Sequence, residues 1–327
     1  MNKEQTNNQY VIGLDLGGTN SEFGIVDAKG NIIASTSIKT GAYTKADDYV
    51  AAAISALMPI VEQVGGMKTI KAMGIGAPNA NYYTGNIEMA PNLPWAHGGC
   101  VPLAEMFSRS LGNIKVKITN DANAAALGEM VYGAAKEMKN FIFITLGTGV
   151  GSGIVVNGQL LYGHDGFAGE LGHVTMVRGA EGRLCGCGRT GCLETYCSAT
   201  GVARTARELL LKSQRPSLLR ELNPDQITSL DVSIAANKGD ELAKEIYTFT
   251  GKMLGEACAD FACFSSPEAF IFFGGLMKAG DLLMKPIIEA YNSHVMPVYR
   301  DKAKFLISSL DGAGAAVLGA SAVAMED

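Results

Sequence analysis

Short apolar runs, broken by glycine-centred turns, set the rhythm of the chain from residue 10 onward. The stretch YVIGLDLGGTNSEFGIVDAKGNIIASTSI (10–38) reads as three strands, with Lys29-Gly30-Asn31 closing a hairpin. A helix is expected over 46–63 and a strand over 70–76. That strand runs into APNANYYTGNIEMAPNLPW, whose Pro, Asn and Gly content predicts a long connection rather than a helix. Strand 114–119 then feeds a helix at 121–131, and helices are expected again over 198–212 and 240–264, the latter rich in small residues. Strand 269–273 ends at Gly274-Gly275, a helix starts near 281, and strand 304–308 leads to a last small-residue helix over 313–324. Strands alternating with helices imply α/β layers with largely parallel central strands.

One segment repeats another. Laid 130 positions apart, LDLGGTNSEFGIVD (14–27) faces ITLGTGVGSGIVVN (144–157), with Leu16/Leu146, Gly17/Gly147, Ile25/Val155 and Val26/Val156 in step. Both read as strand, glycine-rich hairpin, strand. Similarity at half-chain distance suggests a duplication whose halves face each other across a cleft, although any two glycine-turn hairpins share some of this likeness.

Composition narrows the class. A chain of 327 residues suits two domains of common size, and 47 % apolar with 18 % charged residues and 40 glycines is the balance of an α/β enzyme, not of a disordered or fibrous chain. A net charge of −5 without any Lys/Arg run argues against nucleic acid as a partner. The N-terminus MNKEQTNNQY has no apolar signal region, and no stretch approaches the roughly eighteen apolar residues of a spanning helix, so a cytoplasmic protein without a membrane partner is expected. Seven cysteines, expected to be reduced there, make a disulfide an unpromising account of RLCGCGRTGCLETY (183–196), which leaves metal binding or catalysis.

Several constellations carry chemistry. Asp15-Leu16-Gly17-Gly18-Thr19-Asn20 ends a strand in a turn where backbone N–H groups can approach an anion, and an acid at that place suits a hydrated Mg²⁺ beside nucleotide phosphates. Gly147-Thr148-Gly149-Val150-Gly151 echoes it, and Phe273-Gly274-Gly275 is a third place for a ligand to press on backbone. Asn120 and Asp121 both stand at a helix start; with Asn120 as N-cap, Asp121 is left for a substrate. A carboxylate of ordinary pKa, about 3.9, still serves phosphoryl transfer, where the base mainly orients the hydroxyl and takes its proton late. Glu170, His173 and Glu194 sit in or beside glycine-rich loops as candidates for hydrogen bonds to vicinal hydroxyls. Cys185, Cys187 and Cys192 offer three donors where a closed zinc site takes four; His173 and Cys197 are the two candidates for the fourth, and a CxxC redox pair is absent.

Taken together, DLGGTN (15–20), NDANAAALGE (120–129), GTGVGSG (147–153), GELGH (169–173) and CGCGRTGCLE (185–194) resemble the ROK family of sugar kinases and repressors, in order and over most of the chain. The resemblance implies a duplicated α/β actin-like ATPase (ribonuclease H-like) fold. Its two domains would flank a cleft for ATP and sugar: 1–119, joined by a C-terminal helix 312–327, and 120–311 with a zinc-bearing loop. It makes Asp121 the catalytic base, Asn92, Glu170, His173 and Glu194 the sugar contacts, and His173, Cys185, Cys187 and Cys192 the ligands of a structural Zn²⁺. Gly18, Thr19, Thr148 and Gly275 match its nucleotide-contacting turns, which with Asp15, Asn20, Gly149 and Gly274 complete the expected Mg-ATP set.

GFAGELGH and CLETYCSATG look most like bacterial glucokinases, with N-acetylhexosamine kinases as close rivals; Asn79 departs from the Pro-Gly that many relatives carry there. ROK repressors carry a DNA-reading domain before the DxGGT motif, for which the fourteen residues ahead of Asp15 leave no room. The expected activity is therefore ATP-dependent phosphorylation of glucose to glucose 6-phosphate, with an N-acetylglucosamine or N-acetylmannosamine kinase, or a non-catalytic sugar sensor, as alternatives. The family further implies a homodimer or homotetramer.

Overall fold

The computed structural model describes residues 9–310 and 314–326. Three strands, β1 (Tyr10–Leu16), β2 (Asn20–Val26) and β3 (Ile32–Lys39), form an antiparallel meander, as the glycine pattern predicts. The Asp27 side chain accepts hydrogen bonds from the backbone of Lys29 and Asn31, and Gly30 takes φ 86° to close the second hairpin. Helix α1 (Ala46–Gln63) carries Asp47 and Asp48 in its first turn, where carboxylates favour the helix dipole. Then come β4 (Ile70–Gly76), the short pair β5 (Ile87–Glu88) and β6 (Cys100–Val101), α2 (Leu103–Ser110), β7 (Lys115–Thr119) and α3 (Asp121–Val131). The first sheet runs β3-β2-β1-β4-β7, with β4 and β7 parallel to β1.

The second half repeats that order. Strands β8 (Phe141–Leu146), β9 (Val150–Val156) and β10 (Gln159–Leu160) lead through an irregular segment to the helices α4 (Glu194–Cys197), α5 (Ala199–Lys212), α6 (Ser229–Asn237) and α7 (Glu241–Ser265). Strand β11 (Ala269–Phe273), helix α8 (Asp281–His294), strand β12 (Lys304–Ile307) and helix α9 (Ala315–Met325) complete the described chain. The second sheet runs β10-β9-β8-β11-β12, again with a parallel pair beyond the hairpin. Leu16/Leu146 correspond as expected, but Ile25/Val155 and Val26/Val156 do not. The register pairs Ile12 with Ile25 and Ile142 with Ile154, because the turn between Leu16 and Ser21 holds four residues and that between Leu146 and Val150 only three. Burial agrees: Val26 and Val155 are buried while Val156 is 37 % exposed.

The chain divides into two compact units, 1–137 with 160–168 and 309–327, and 138–159 with 169–308. The expected boundary at 119/120 differs from this, since α3 packs with α9 in the first unit: Gly128 and Gly319 meet at their crossing, where a Cβ on Gly128 would lie 2.9 Å from the Gly319 Cα. The start of the last expected helix, residue 313, and the ends of the expected 312–327 partner lie outside the described residues. Helix α9 is built of Ala, Gly, Ser and Val because it lies directly on β1 and β4. A Cβ on Gly74 would overlap the carbonyl oxygen of Ala320, so this approach requires glycine. Among the described residues no helix is long and apolar enough to cross a membrane.

Candidate functional site

In the first unit, β1 delivers Asp15 and β7 delivers Asp121. Asn120 caps α3 as anticipated, its side chain accepting the Ala122 N–H at 2.8 Å. Asp121 Oδ1 shares that amide at 2.8 Å. The Asp121 carboxyl is solvent-accessible yet recessed among protein atoms, and desolvation raises its pKa against the opposing backbone hydrogen bonds. Desolvation also lifts Asp15, to about 6, with the Asp121 and Glu22 charges adding to it. The two carboxyls thus share an electrostatic neighbourhood that disfavours a second bare negative charge and favours a cation.

The turn that follows Asp15 closes with Gly17 N–H donating to the Asn20 carbonyl at 3.0 Å, while Thr19 and Asn20 are exposed. Gly18 lies against the APNLPW loop: a Cβ there would come within 3.0 Å of the Asn92 carbonyl oxygen. Asn92, Asp15, Gly18, Thr19, Asn20 and Asp121 thus all belong to one unit. The Pro-Asn departure resolves locally. Asn79 adopts φ 53°, the left-handed region that Asn tolerates best after Gly, and its Nδ2 donates to the carbonyls of Glu88 and Met89.

The second unit holds the remaining candidates. The turn after β8 closes with Gly147 N–H on the Gly149 carbonyl at 3.1 Å, and Gly274, at φ 110°, lies so close to Leu146 that a Cβ would strike its backbone. Thr148 is exposed, and Gly275 faces open space. Glu194, the first residue of α4, turns toward this same turn: its Oε2 accepts the Val150 N–H at 3.0 Å and occupies the place a Gly149 side chain would need. This bond has no signal in the sequence, because it joins residues forty-four apart.

His173, Cys185, Cys187 and Cys192 come together with their donor atoms all within 4.8 Å of one another. Cys185 Sγ is 3.7 Å from His173 Nδ1, and Cys187 Sγ is 3.7 Å from Cys192 Sγ. Sulfurs about 2.3 Å from a tetrahedral zinc stand roughly 3.7 Å apart, so the donor set fits that ion and is far too open for a disulfide. Cys197, the other candidate, is not among these four donors; its Sγ is directed to the Thr250 carbonyl instead, at 3.6 Å. His173 Nε2 remains directed toward Glu170 Oε2, 3.9 Å away. Burial pushes the Cys185 thiol up to about 12; at Cys187 desolvation is outweighed by the Arg189 N–H and the neighbouring thiols, and its pKa is lowered.

Two arginines brace this knuckle. Arg189 donates to the His173 carbonyl at 3.2 Å and to Thr175 Oγ1 at 2.9 Å, tying the cysteine loop to the histidine segment. Arg183 is buried, with its guanidinium 4.6 Å from the Tyr196 ring centre and hydrogen bonds to the Thr195 carbonyl and Glu208. Their places inside the RLCGCGRTGC run were the available signal, but nothing in that run says which way a side chain turns.

The family model described as "ROK family" matches residues 11–327. A glucokinase of Halalkalibacterium halodurans is 36 % identical over 95 % of this chain and 93 % of its own length. The xylose repressor of Caldicellulosiruptor bescii is 30 % identical over 80 % of this chain and 64 % of its own. Among solved structures, a ROK family glucokinase from Streptomyces griseus in complex with glucose and AMPPNP superposes with a TM-score of 0.76 at 33 % identity, covering 97 % of this chain and 99 % of that one. A family match over nearly the whole length, together with the duplicated sheet order and the Cys₃His cluster, leads to one conclusion: the chain belongs to the ROK family.

Proposed function

We propose that this protein transfers the γ-phosphoryl group of ATP to a hexose hydroxyl, with glucose O6 as the acceptor. The observation that carries the reading is Asp121. Its cap duty is shared with Asn120, which leaves Oδ2 to accept a substrate proton, and burial raises its basicity. In the proposed complex Asp121 and Asn92 from one unit and Glu170, His173 and Glu194 from the other hold one sugar. Asp15 would hold Mg²⁺, and the turns at Gly18-Thr19, Thr148-Gly149 and Gly274-Gly275 would take the nucleotide. When bound, Mg²⁺ would supply charge neutralisation on the phosphates. Asp121 orients the hydroxyl and receives its proton, and exclusion of water keeps the phosphoryl group from hydrolysis.

Zinc in this reading is structural. Four protein ligands would close its coordination, so its part would be to keep the Glu170–His173 loop and the Glu194 helix start in register. The glucokinase relatives, which match along nearly their whole length, support the choice of glucose. The deciding experiment is steady-state kcat/KM with ATP on a panel of glucose, mannose, fructose, N-acetylglucosamine and N-acetylmannosamine. Glucose is expected to lead by at least about tenfold, the lower end of what a small change of substrate in a shaped pocket costs. Equal or better turnover of an N-acetylhexosamine overturns the substrate, and no turnover of any hexose overturns the kinase.

A further inference from the structure

Beneath the first glycine turn lies a polar cluster with no role assigned above. Ser21 on β2, Thr40 just after β3 and Tyr49 on α1 are fully buried. Ser21 Oγ stands 2.7 Å from Thr40 Oγ1 and 2.9 Å from the Tyr49 hydroxyl. Three hydroxyls within a core of Leu, Ile and Phe are tolerable only because each has a partner, and such networks hold their members in a single arrangement. Ser21 is the first residue after the Gly17–Asn20 turn, and the segment at Gly41 lies against the Gly18 carbonyl.

The ring of Tyr49 does something else. It stacks on Trp95 with centroids 4.8 Å apart and planes at 17°, and meets Phe107 edge-on. Trp95 lies three residues beyond Asn92, in the loop that packs on Gly18. The Trp95 indole nitrogen is buried without a hydrogen-bond partner among the described residues, so the stack rather than a polar bond holds this side chain. Burial, and the Asp15 charge beyond it, keep the Tyr49 hydroxyl protonated.

We propose that Tyr49 is a positioning residue that fixes the first glycine turn relative to the Asn92 loop through two separable contacts: the hydroxyl, on Ser21, holds the turn, and the ring, on Trp95, holds the loop. The kinetic consequence rests on the kinase reading, in which the turn meets ATP and the loop meets sugar; the two contacts do not. Tyr49→Phe removes only the first contact and Trp95→Leu only the second.

The test combines hydrogen–deuterium exchange on the ligand-free protein with steady-state kinetics. Tyr49→Phe is expected to speed exchange across 17–21 by about tenfold, the scale of one net hydrogen bond, with 90–95 unchanged, and to raise KM for ATP about fivefold with KM for glucose unchanged. Trp95→Leu is expected to do the converse. Ser21→Ala removes the Tyr49 bond together with the Thr40 bond, so it is expected to quicken exchange across 17–21 at least as much with 90–95 unchanged, and adding Tyr49→Phe to it has no further effect; Ser21→Ala also stands in if Tyr49→Phe does not fold. Loosening of both segments together, of neither, or a fall in Tm without a split between segments overturns the proposal. If the exchange split holds while no hexose is phosphorylated by the wild-type protein, the kinase reading fails and the positioning role stands.

Discussion

The two glycine turns descend from one pattern and are held in place by different chemistry. Ser21 and Val150 are structural counterparts, each the first residue after its turn to pair with the preceding strand, through the matching leucine, Leu16 or Leu146. At Ser21 the anchor is a side-chain hydroxyl bound to two neutral buried hydroxyls. At Val150 it is the backbone N–H, bound to the Glu194 carboxylate. Glu194 in turn stands 3.6 Å from the Cys185 sulfur. The first turn is therefore tied to the apolar core and the second to the cysteine knuckle. A shared backbone motif does not entail a shared support, and perturbations that leave one turn intact should loosen the other.

The largest expected effect involves neither turn. Asp121→Ala should lower kcat by about 10³-fold, within the range of lost general-base catalysis, while calorimetry still detects glucose binding; near-normal kcat sinks the assignment. Next comes the knuckle. The purified protein should hold about one equivalent of zinc, and Cys187→Ala or chelation should remove it and weaken glucose binding some tens of fold. Exchange should then quicken across 147–150 and not across 17–21. Stoichiometric iron or no metal by elemental analysis refutes the site, and equal loosening of both turns breaks the comparison.

Glu194→Ala should raise KM for both ATP and glucose, each roughly tenfold, as loss of a charge-assisted bond implies. An effect on glucose alone would show that the Val150 bond is incidental. The pH dependence concerns the first turn. Asp15 binds its proton more tightly folded than unfolded, so its contribution to stability is present below the unfolded value and is lost as pH rises through about 6. Asp15→Asn should remove that decline from the Tm profile between pH 4 and 7. In the wild type, kcat/KM should fall as pH drops below about 6, as Asp15 takes up its proton. The smallest effects compare glycines. Gly18→Ala forces a methyl against Asn92 and should raise KM for glucose, whereas Gly147→Ala meets nothing within 4 Å and should leave Tm unchanged within about a degree.

Legibility followed locality. Helix α1 and strands β4 and β11 stand at the residues their patterns predict, because an apolar run and its flanking breakers are neighbours in the chain. Helices α2 and α6 went unmarked, the first short and placed after a proline, the second beginning at a Thr228 capping box within a polar stretch. The Ile25/Val155 alignment failed by one residue because a constant offset cannot reveal that the second turn is shorter. In the site, the motifs named the Cys₃His set, yet they were silent on Arg183, Ser21 and Tyr49, which are partnered across long stretches of chain.

By itself the sequence determined the alternation of strands and helices, the presence of two glycine turns and the chemical types available near them. All of these follow from local backbone preference and side-chain identity. Only the tertiary structure decided that the four donor atoms of the cluster come within 4.8 Å of one another, that Glu194 serves the second turn, and that a buried tyrosine lies beneath the first. Those outcomes depend on where distant segments come to rest. Burial then makes each choice costly to reverse, since a polar atom removed from water must keep the partner it has found.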